Sequence, residues 1–313
     1  MTKKHIAILG ATSHIAKGLI DNFLGGGEVV LHLYTRSGGN VRDFLASIGN
    51  GAGRDCVIHE GYGDFLECSF DAVINCVGVG TANKLRGDYT LYFTVTEEYD
   101  NLAIGYCNRH PDTLYISISS GAVYGGEHSG PVVRDSARRI RVNDLAPVDY
   151  YGIVRLNAEA KHRAFTHLKI VDLRVFAYFS RFIDLRDGYF ITEIIKSILN
   201  KEVLVTDSRN MVRDYIHPKD LFSLVVRCMN AGAVNEAFDA VSRMHVEKTE
   251  ILDYFQSEYG LKYEVGDSFV GAGATGTKNI YSSRYNAASK IGYAPEYSSM
   301  DALKHEAKYI LAG

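Results

Sequence analysis

Short apolar runs alternate along this chain with longer stretches whose apolar residues recur at helical spacing. His5–Leu9 reads as a strand, and Ala11–Leu24 as a helix with Ile15, Leu19, Ile20 and Phe23 on one face. Gly25-Gly26-Gly27 closes that helix before the apolar run Val29–Tyr34. Val57–His59 and Ala72–Val77 predict a third and a fourth strand, Tyr89–Arg109 a long helix, and Thr113–Ser119 a fifth strand. A helix over Tyr151–Thr166 then leads into the strand Lys169–Val175.

Repeated strand–helix units of this kind specify an α/β fold, a doubly wound (Rossmann-like) parallel sheet covered on both faces. After about Phe176 the pattern loosens, although Tyr189–Asn200, Pro218–Asn230, Lys248–Tyr259 and Ser299–Ala312 still read as helices. The expected division is a dinucleotide-binding domain over 1–175, its sheet completed by parts of 203–245. A smaller C-terminal α/β lobe, mainly 176–313, would hold the substrate.

Charge narrows the range of partners. Lys plus Arg number 34 against 37 Asp plus Glu, a net charge of −3, which leaves no electrostatic footprint for nucleic acid. The five cysteines are odd in number and lack C-x-x-C spacing, so a reducing compartment fits better than a disulfide framework. No His/Asp/Glu cluster has the spacing of a metal site. With no apolar run long enough to span a bilayer and no signal-peptide pattern, the expectation is a cytoplasmic protein without a membrane partner.

The first strand–helix junction carries Gly10-Ala11-Thr12-Ser13-His14-Ile15-Ala16. Here the backbone can turn sharply and aim its N–H groups at a pyrophosphate beside the positive end of a helix dipole. Gly10, Thr12, Ser13, His14, Ile15 and Ala16 are therefore candidate cofactor contacts. A formally better G-x-G-x-x-G lies at Gly271–Gly276, but no βαβ unit surrounds it, and it reads as a loop. The second strand ends in Tyr34-Thr35-Arg36-Ser37, where an NAD-binding fold would place an acid for the ribose hydroxyl. Arg36 and Ser37 can instead hold a 2′-phosphate, so NADP(H) is expected in preference to NAD(H). Asp64 is a candidate acceptor for the adenine amino group, although a turn-forming Asp is nearly as good a reading. The expected cofactor set further includes Phe65, then Cys76, Val77 and Gly78 after the fourth strand, and Phe176.

Four further segments resemble the extended short-chain dehydrogenase/reductases, the NAD(P)-dependent epimerase/dehydratase family that modifies nucleotide sugars. They are Ser119-Ser120-Gly121-Ala122-Val123-Tyr124-Gly125, Pro147-Val148-Asp149-Tyr150-Tyr151-Gly152, Arg213-Asp214-Tyr215-Ile216-His217-Pro218-Lys219-Asp220, and Asn286–Pro295. The resemblance implies that Tyr151 is the acid/base phenol, that Ser120 bonds the substrate oxygen, and that a basic residue four positions on supports the phenol. That residue is Arg155 where the family has lysine. A guanidinium supplies the positive field but cannot relay a proton. Tyr151 and Arg155 would also contact the cofactor. Ser120, Tyr124, Arg213 and Lys278 form the expected substrate set, with a sugar nucleotide as the substrate class.

The family's dehydratases carry an Asp-Glu pair where this chain has Gly121-Ala122, which disfavours that reaction. The preference for NADP(H) then points to a reductase acting on a keto-sugar nucleotide. A nucleotide-sugar epimerase is the alternative, and a non-catalytic cofactor-binding regulator, suggested by Arg155, is a second one. Ala177, in the position of a family asparagine, leaves the substrate open. His14 reads as a ring packed near the cofactor and His217 as a structural residue. Members commonly pair through the helices here predicted at Tyr89–Arg109 and Tyr151–Thr166, so a homodimer is expected.

Overall fold

The computed structural model describes residues 3–49, 53–80, 82–126, 129–232, 234–266 and 279–312. A seven-stranded parallel sheet runs through the molecule in the order Asn235–Ala240, β6 (Ile170–Val175), β5 (Leu114–Ser120), β4 (Ala72–Asn75), β1 (Lys4–Leu9), β2 (Val29–Thr35), β3 (Cys56–Glu60). Its strands are nearly continuous apolar runs because helices cover both faces. The order reverses between β1 and β4, which opens a crevice at the carboxyl ends of the strands.

The helices are α1 (His14–Gly26), α2 (Gly38–Ser47), α3 (Ala82–Leu85), α4 (Leu91–Arg109), α5 (Pro147–Ala164), α6 (Phe190–Asn200), α7 (Pro218–Asn230), α8 (Lys248–Tyr259) and α9 (Ser299–Leu311). Two boundaries differ from the sequence reading for local reasons. Helix α1 starts at His14, not Ala11, because Ser13 caps it by accepting from the Ala16 N–H at 3.3 Å. Helix α5 starts four residues before Tyr151. Pro147 occupies its first turn, and the Asp149 carboxylate accepts from the Ala146 N–H at 3.2 Å. Helix α2 went unread because it opens on Gly38-Gly39 and buries only Gly38, Val41, Phe44 and Leu45.

Beyond β6 the chain packs a second core from α6, α8 and α9 around Ile194, Ile195, Phe255 and Leu303, all unexposed. Short strands of this lobe pair into small sheets separate from the central one. In one of them Tyr281 sits beside Arg213 in parallel register, so two polar side chains from distant segments share one wall.

Under the sheet, α4 and α5 are joined through ionised groups. His162 lies between Asp100 (2.7 Å) and Asp172 (2.8 Å), and Tyr115 donates to Asp100 at 2.8 Å. Burial alone would lower the imidazole pKa, but the bonds to Asp100 and Asp172 win and raise it to about 9. A raised native pKa stabilises the fold fully below the unfolded value of 6.5, and the contribution is lost as pH climbs through about 9. Denaturant titrations should therefore show stability falling over that interval by on the order of 2–3 kcal/mol. His162→Gln should be less stable at pH 6 and should lack this slope; an unchanged slope in the variant would place the titration elsewhere.

Candidate active site

A cavity of about 370 Å³ occupies the crevice between the sheet and the C-terminal lobe. Thr12, Ser13, His14 and Ile15 line it from the first turn, and Cys76, Val77 and Gly78 from the end of β4. Ser120, Tyr151, Arg155 and Phe176 form the facing wall, and Arg213 closes it from the C-terminal lobe. The turn is shaped by Gly10, whose φ of +73° suits glycine; a Cβ there would lie 3.0 Å from Val77. Ala16 is buried behind the turn, within the hydrophobic core.

His14 is half-buried, and loss of solvent around its ring depresses its pKa to about 3, so the ring is neutral. Its Nε2 accepts from the Ser180 N–H at 3.2 Å, and its ring meets Tyr178 edge-on at 4.7 Å. A packing role follows. His217 is likewise neutral, lowered to about 4 by burial, and caps α7 by accepting from the Lys219 N–H at 3.1 Å.

Arg155 reaches across the floor of the cavity. Its guanidinium carbon stands 5.5 Å from the centre of the Tyr151 ring, and Nη1 donates to the Ile118 carbonyl at 3.3 Å. Its Nη2 occupies the space that a side chain on Gly78 would fill, only 2.4 Å from such a Cβ. The Nε is buried without a partner. Arg213 is also buried, which lowers its pKa, and Nη1 donates to the Val212 carbonyl at 2.9 Å. The salt bridge with Asp214 that would have made Arg213 a surface residue is absent. Asp214 instead accepts from the Ser242 N–H at 2.9 Å and is raised to about 6 by burial. Neither Arg155 nor Arg213 forms an ion pair among the described residues. Asp184 and Asp187 also line the cavity but pair with Arg186 and Lys84, so the two buried cations make a site for anions or for dense hydroxyl and carbonyl acceptors.

Ser120 accepts from the Ala122 N–H at 3.2 Å and shares a 2.9 Å hydrogen bond with the Tyr281 hydroxyl. Tyr281 was missed from the sequence, since 161 residues separate it from Ser120 and it sits in a two-residue strand with no pattern of its own. Phe176 packs where an acid at position 121 would have to lie: a Cβ on Gly121 would meet its ring at 2.5 Å.

Several expected contacts lie elsewhere. Tyr124 is outside the cavity; it donates to Asp239 at 3.0 Å and receives from Arg174 at 2.7 Å, in a buried network that Glu159 completes. Phe65 is unexposed and packs edge-on to Tyr34 at 5.2 Å, so its ring belongs to the core. The Asp64 carboxylate holds His59 Nδ1 at 2.6 Å and has a partner already. Arg36 and Ser37 are exposed beyond β2, away from the cavity. Tyr62 bridges the gap: its phenol, raised by burial and by Tyr99 to about 12, bonds the Gly10 backbone and feels the Arg36 cation. Lys278 and the Gly271–Gly276 stretch lie outside the described residues.

The profile of the NAD dependent epimerase/dehydratase family matches residues 6–240. The chain belongs to that family of enzymes. Among solved structures, UDP-glucuronic acid 4-epimerase from Bacillus cereus, in complex with UDP-glucuronic acid and NAD, is 19% identical with a TM-score of 0.77, covering 98% of both chains. UDP-N-acetylglucosamine 4-epimerase from Methanobrevibacter ruminantium M1 is 16% identical, with a TM-score of 0.81 over 100% of this chain and 99% of that one. UDP-glucose 4-epimerase from Thermotoga maritima is 15% identical, with a TM-score of 0.78 over 97% and 98%. No curated protein sequence matches the chain. The family's dinucleotide fits these residues, because the strained Gly10 turn, the capped start of α1 and the orphaned Arg155 Nε all offer what a phosphate or a ribose needs. Among the described residues, no helix is long and apolar enough to cross a membrane.

Gly78→Ala tests the reach of Arg155. Its methyl would meet only the end of a flexible side chain, so the thermal midpoint should stay within a few degrees. The displaced guanidinium should weaken dinucleotide binding about tenfold or more, read by fluorescence titration. Unchanged affinity would show that Arg155 does not face the cofactor.

Proposed function

We propose that this enzyme is a nucleotide-sugar epimerase in which Tyr151 exchanges a proton with a ring hydroxyl of the sugar. The carrying observation is the pair of buried, unpaired guanidiniums, Arg155 and Arg213, on the cavity that also exposes Tyr151 and Ser120. Arg213 suits the diphosphate of a sugar nucleotide. Arg155 holds its cation over the Tyr151 ring, 5.5 Å from its centre, beside the phenol that would exchange the proton. Ser120, held by Tyr281, keeps a hydroxyl on the oxygen that changes between alcohol and ketone. A dinucleotide held by the Gly10 turn and Arg155 would supply the acceptor for a hydride from the sugar carbon and the donor for its return. For inversion the keto sugar must turn over before the return, and the cavity must let it do so without release.

The similarity to 4-epimerases supports this reading over a reductase, and the packing of Phe176 at Gly121 argues against a dehydratase, whose acid there would meet the ring. One observation favours the second reading, an NADP(H)-dependent keto-sugar reductase: β2 ends in exposed Arg36 and Ser37 and carries no acid of its own there, and the Glu60 carboxylate beside Gly38 is paired with Arg42. The family resemblance also supports a homodimer through α4 and α5, which light scattering would test as twice the chain mass.

The two readings separate in one assay. An epimerase interconverts UDP-sugars without net change in nicotinamide absorbance; a reductase consumes NADPH in proportion to product. Failure of both across a panel of UDP- and dTDP-sugars would support the regulatory alternative.

Tyr151→Phe should cut turnover by roughly 10²–10⁴, the usual share of general acid–base catalysis, with little change in cofactor affinity. Arg155→Lys should keep measurable activity, whereas Arg155→Ala should lose both rate and affinity. Full activity in Tyr151→Phe would show that the proton comes from another group.

A further inference from the structure

On the sheet face opposite α1, three histidines form a diagonal ladder across β1, β2 and β3. His5 Nδ1 meets His32 Nε2 at 3.0 Å, and His32 Nδ1 meets His59 Nε2 at 3.0 Å. The parallel registers explain it: His32 pairs with Ala7 on one side and Val57 on the other, so each histidine is two residues further along its strand than its neighbour. The loop leaving β3 then brings Cys68 over this ladder. One ring nitrogen each from His32 and His59 and the Cys68 sulfur lie within 4.8 Å of one another.

We propose that His32, His59 and Cys68 form a binding site for a divalent transition-metal cation of the zinc type. Two imidazoles and a thiolate are a borderline-soft donor set, and three protein ligands leave a fourth position for water. Around a tetrahedral zinc such donor atoms stand roughly 3.3–3.7 Å apart. The two imidazole nitrogens stand 3.0 Å apart and the sulfur lies within 4.8 Å of both, so binding an ion would draw the sulfur into that range.

The surroundings carry the proposal further than the three ligands do. Asp64 accepts from His59 Nδ1 at 2.6 Å, which leaves the Nε2 lone pair of His59 pointing at His32 and the cysteine. A carboxylate behind a ligating histidine is the usual second support of a metal site, since it sets the tautomer and raises ligand basicity. In the tautomer that frees His32 Nδ1 for the ion, His5 plays the same part, as the acceptor for His32 Nε2–H. The Tyr34 ring stacks on His59 at 4.2 Å, and the Tyr34 hydroxyl is wholly buried, unpartnered and beside Cys68. A thiolate there would take that orphaned O–H. Charge also balances: thiolate and Asp64 together match a divalent ion.

Such an ion would clamp the segment 61–70, with Tyr62 and Asp64, onto the outer strands. That is a structural role separate from the catalytic cavity and independent of which sugar reaction the enzyme performs. Sequence spacing could not reveal it, because 27 residues separate His32 from His59 and the cysteine follows nine residues later in a loop.

The test is metal binding to the intact, reduced, chelator-stripped protein at neutral pH. Titration with Co²⁺ should saturate at one equivalent with a thiolate-to-cobalt charge-transfer band, and Zn²⁺ should displace it and raise the thermal midpoint. Cys68→Ser should abolish the band, and Asp64→Asn should weaken Zn²⁺ binding about ten- to a hundredfold. Circular dichroism checks folding; should Cys68→Ser fail to fold, His32→Asn must lose the bound ion instead. No Co²⁺ binding at micromolar concentration, or binding that both Cys68→Ser and His32→Asn retain, would overturn the site and leave a hydrogen-bonded ladder.

Discussion

The close approach of α5 to the end of β5 governs the placement of every reacting group. A Cβ at Gly152 would come within 2.4 Å of the Ala122 carbonyl, so only glycine lets the helix sit this deep. Arg138 locks the contact by donating to that carbonyl at 2.9 Å and to the Asp149 carbonyl at 3.1 Å. With the helix held there, Tyr151 and Arg155, one turn apart, face Ser120 at the strand's end.

That depth has an electrostatic cost which the protein leaves open on one side of the sheet and closes on the other. Beneath the sheet, His162, Lys161 and Arg163 meet Asp100 and Asp172, and Arg174 meets Glu159. In the crevice, Arg155 and Arg213 have only backbone carbonyls. Burying a guanidinium without an acid is unfavourable, and an anionic ligand relieves it, so the same two residues destabilise the empty fold and attract its ligand.

The outer strands tell a different story from the centre. Asp64 holds His59, and Phe65 is locked into the aromatic cluster with Tyr34, Phe70 and Tyr106, so this edge is built from its own polar ladder and ring stack. Arg36 and Ser37 remain exposed beyond it. On the proposed reading, the adenine end of a dinucleotide would meet this exposed loop, and the nicotinamide end the buried charge of Arg155.

The sequence by itself determined the alternation of strands and helices, the glycine turn after β1 and the Tyr151–Arg155 pair. All three depend on spacings of a few residues and are written locally. It also carried the absence of acids at Gly121-Ala122. The start of α5 and the existence of α2 escaped it, because a proline-led first turn and a glycine-led, mostly exposed helix leave weak periodicity. Only the tertiary structure decided that Arg213 is unpaired by Asp214, that Tyr281 meets Ser120, that Tyr124 belongs to a buried network, and that Cys68 lies over His32 and His59. Each depends on which strands become neighbours, and a side chain's partner across such a junction has no signature in the residues beside it.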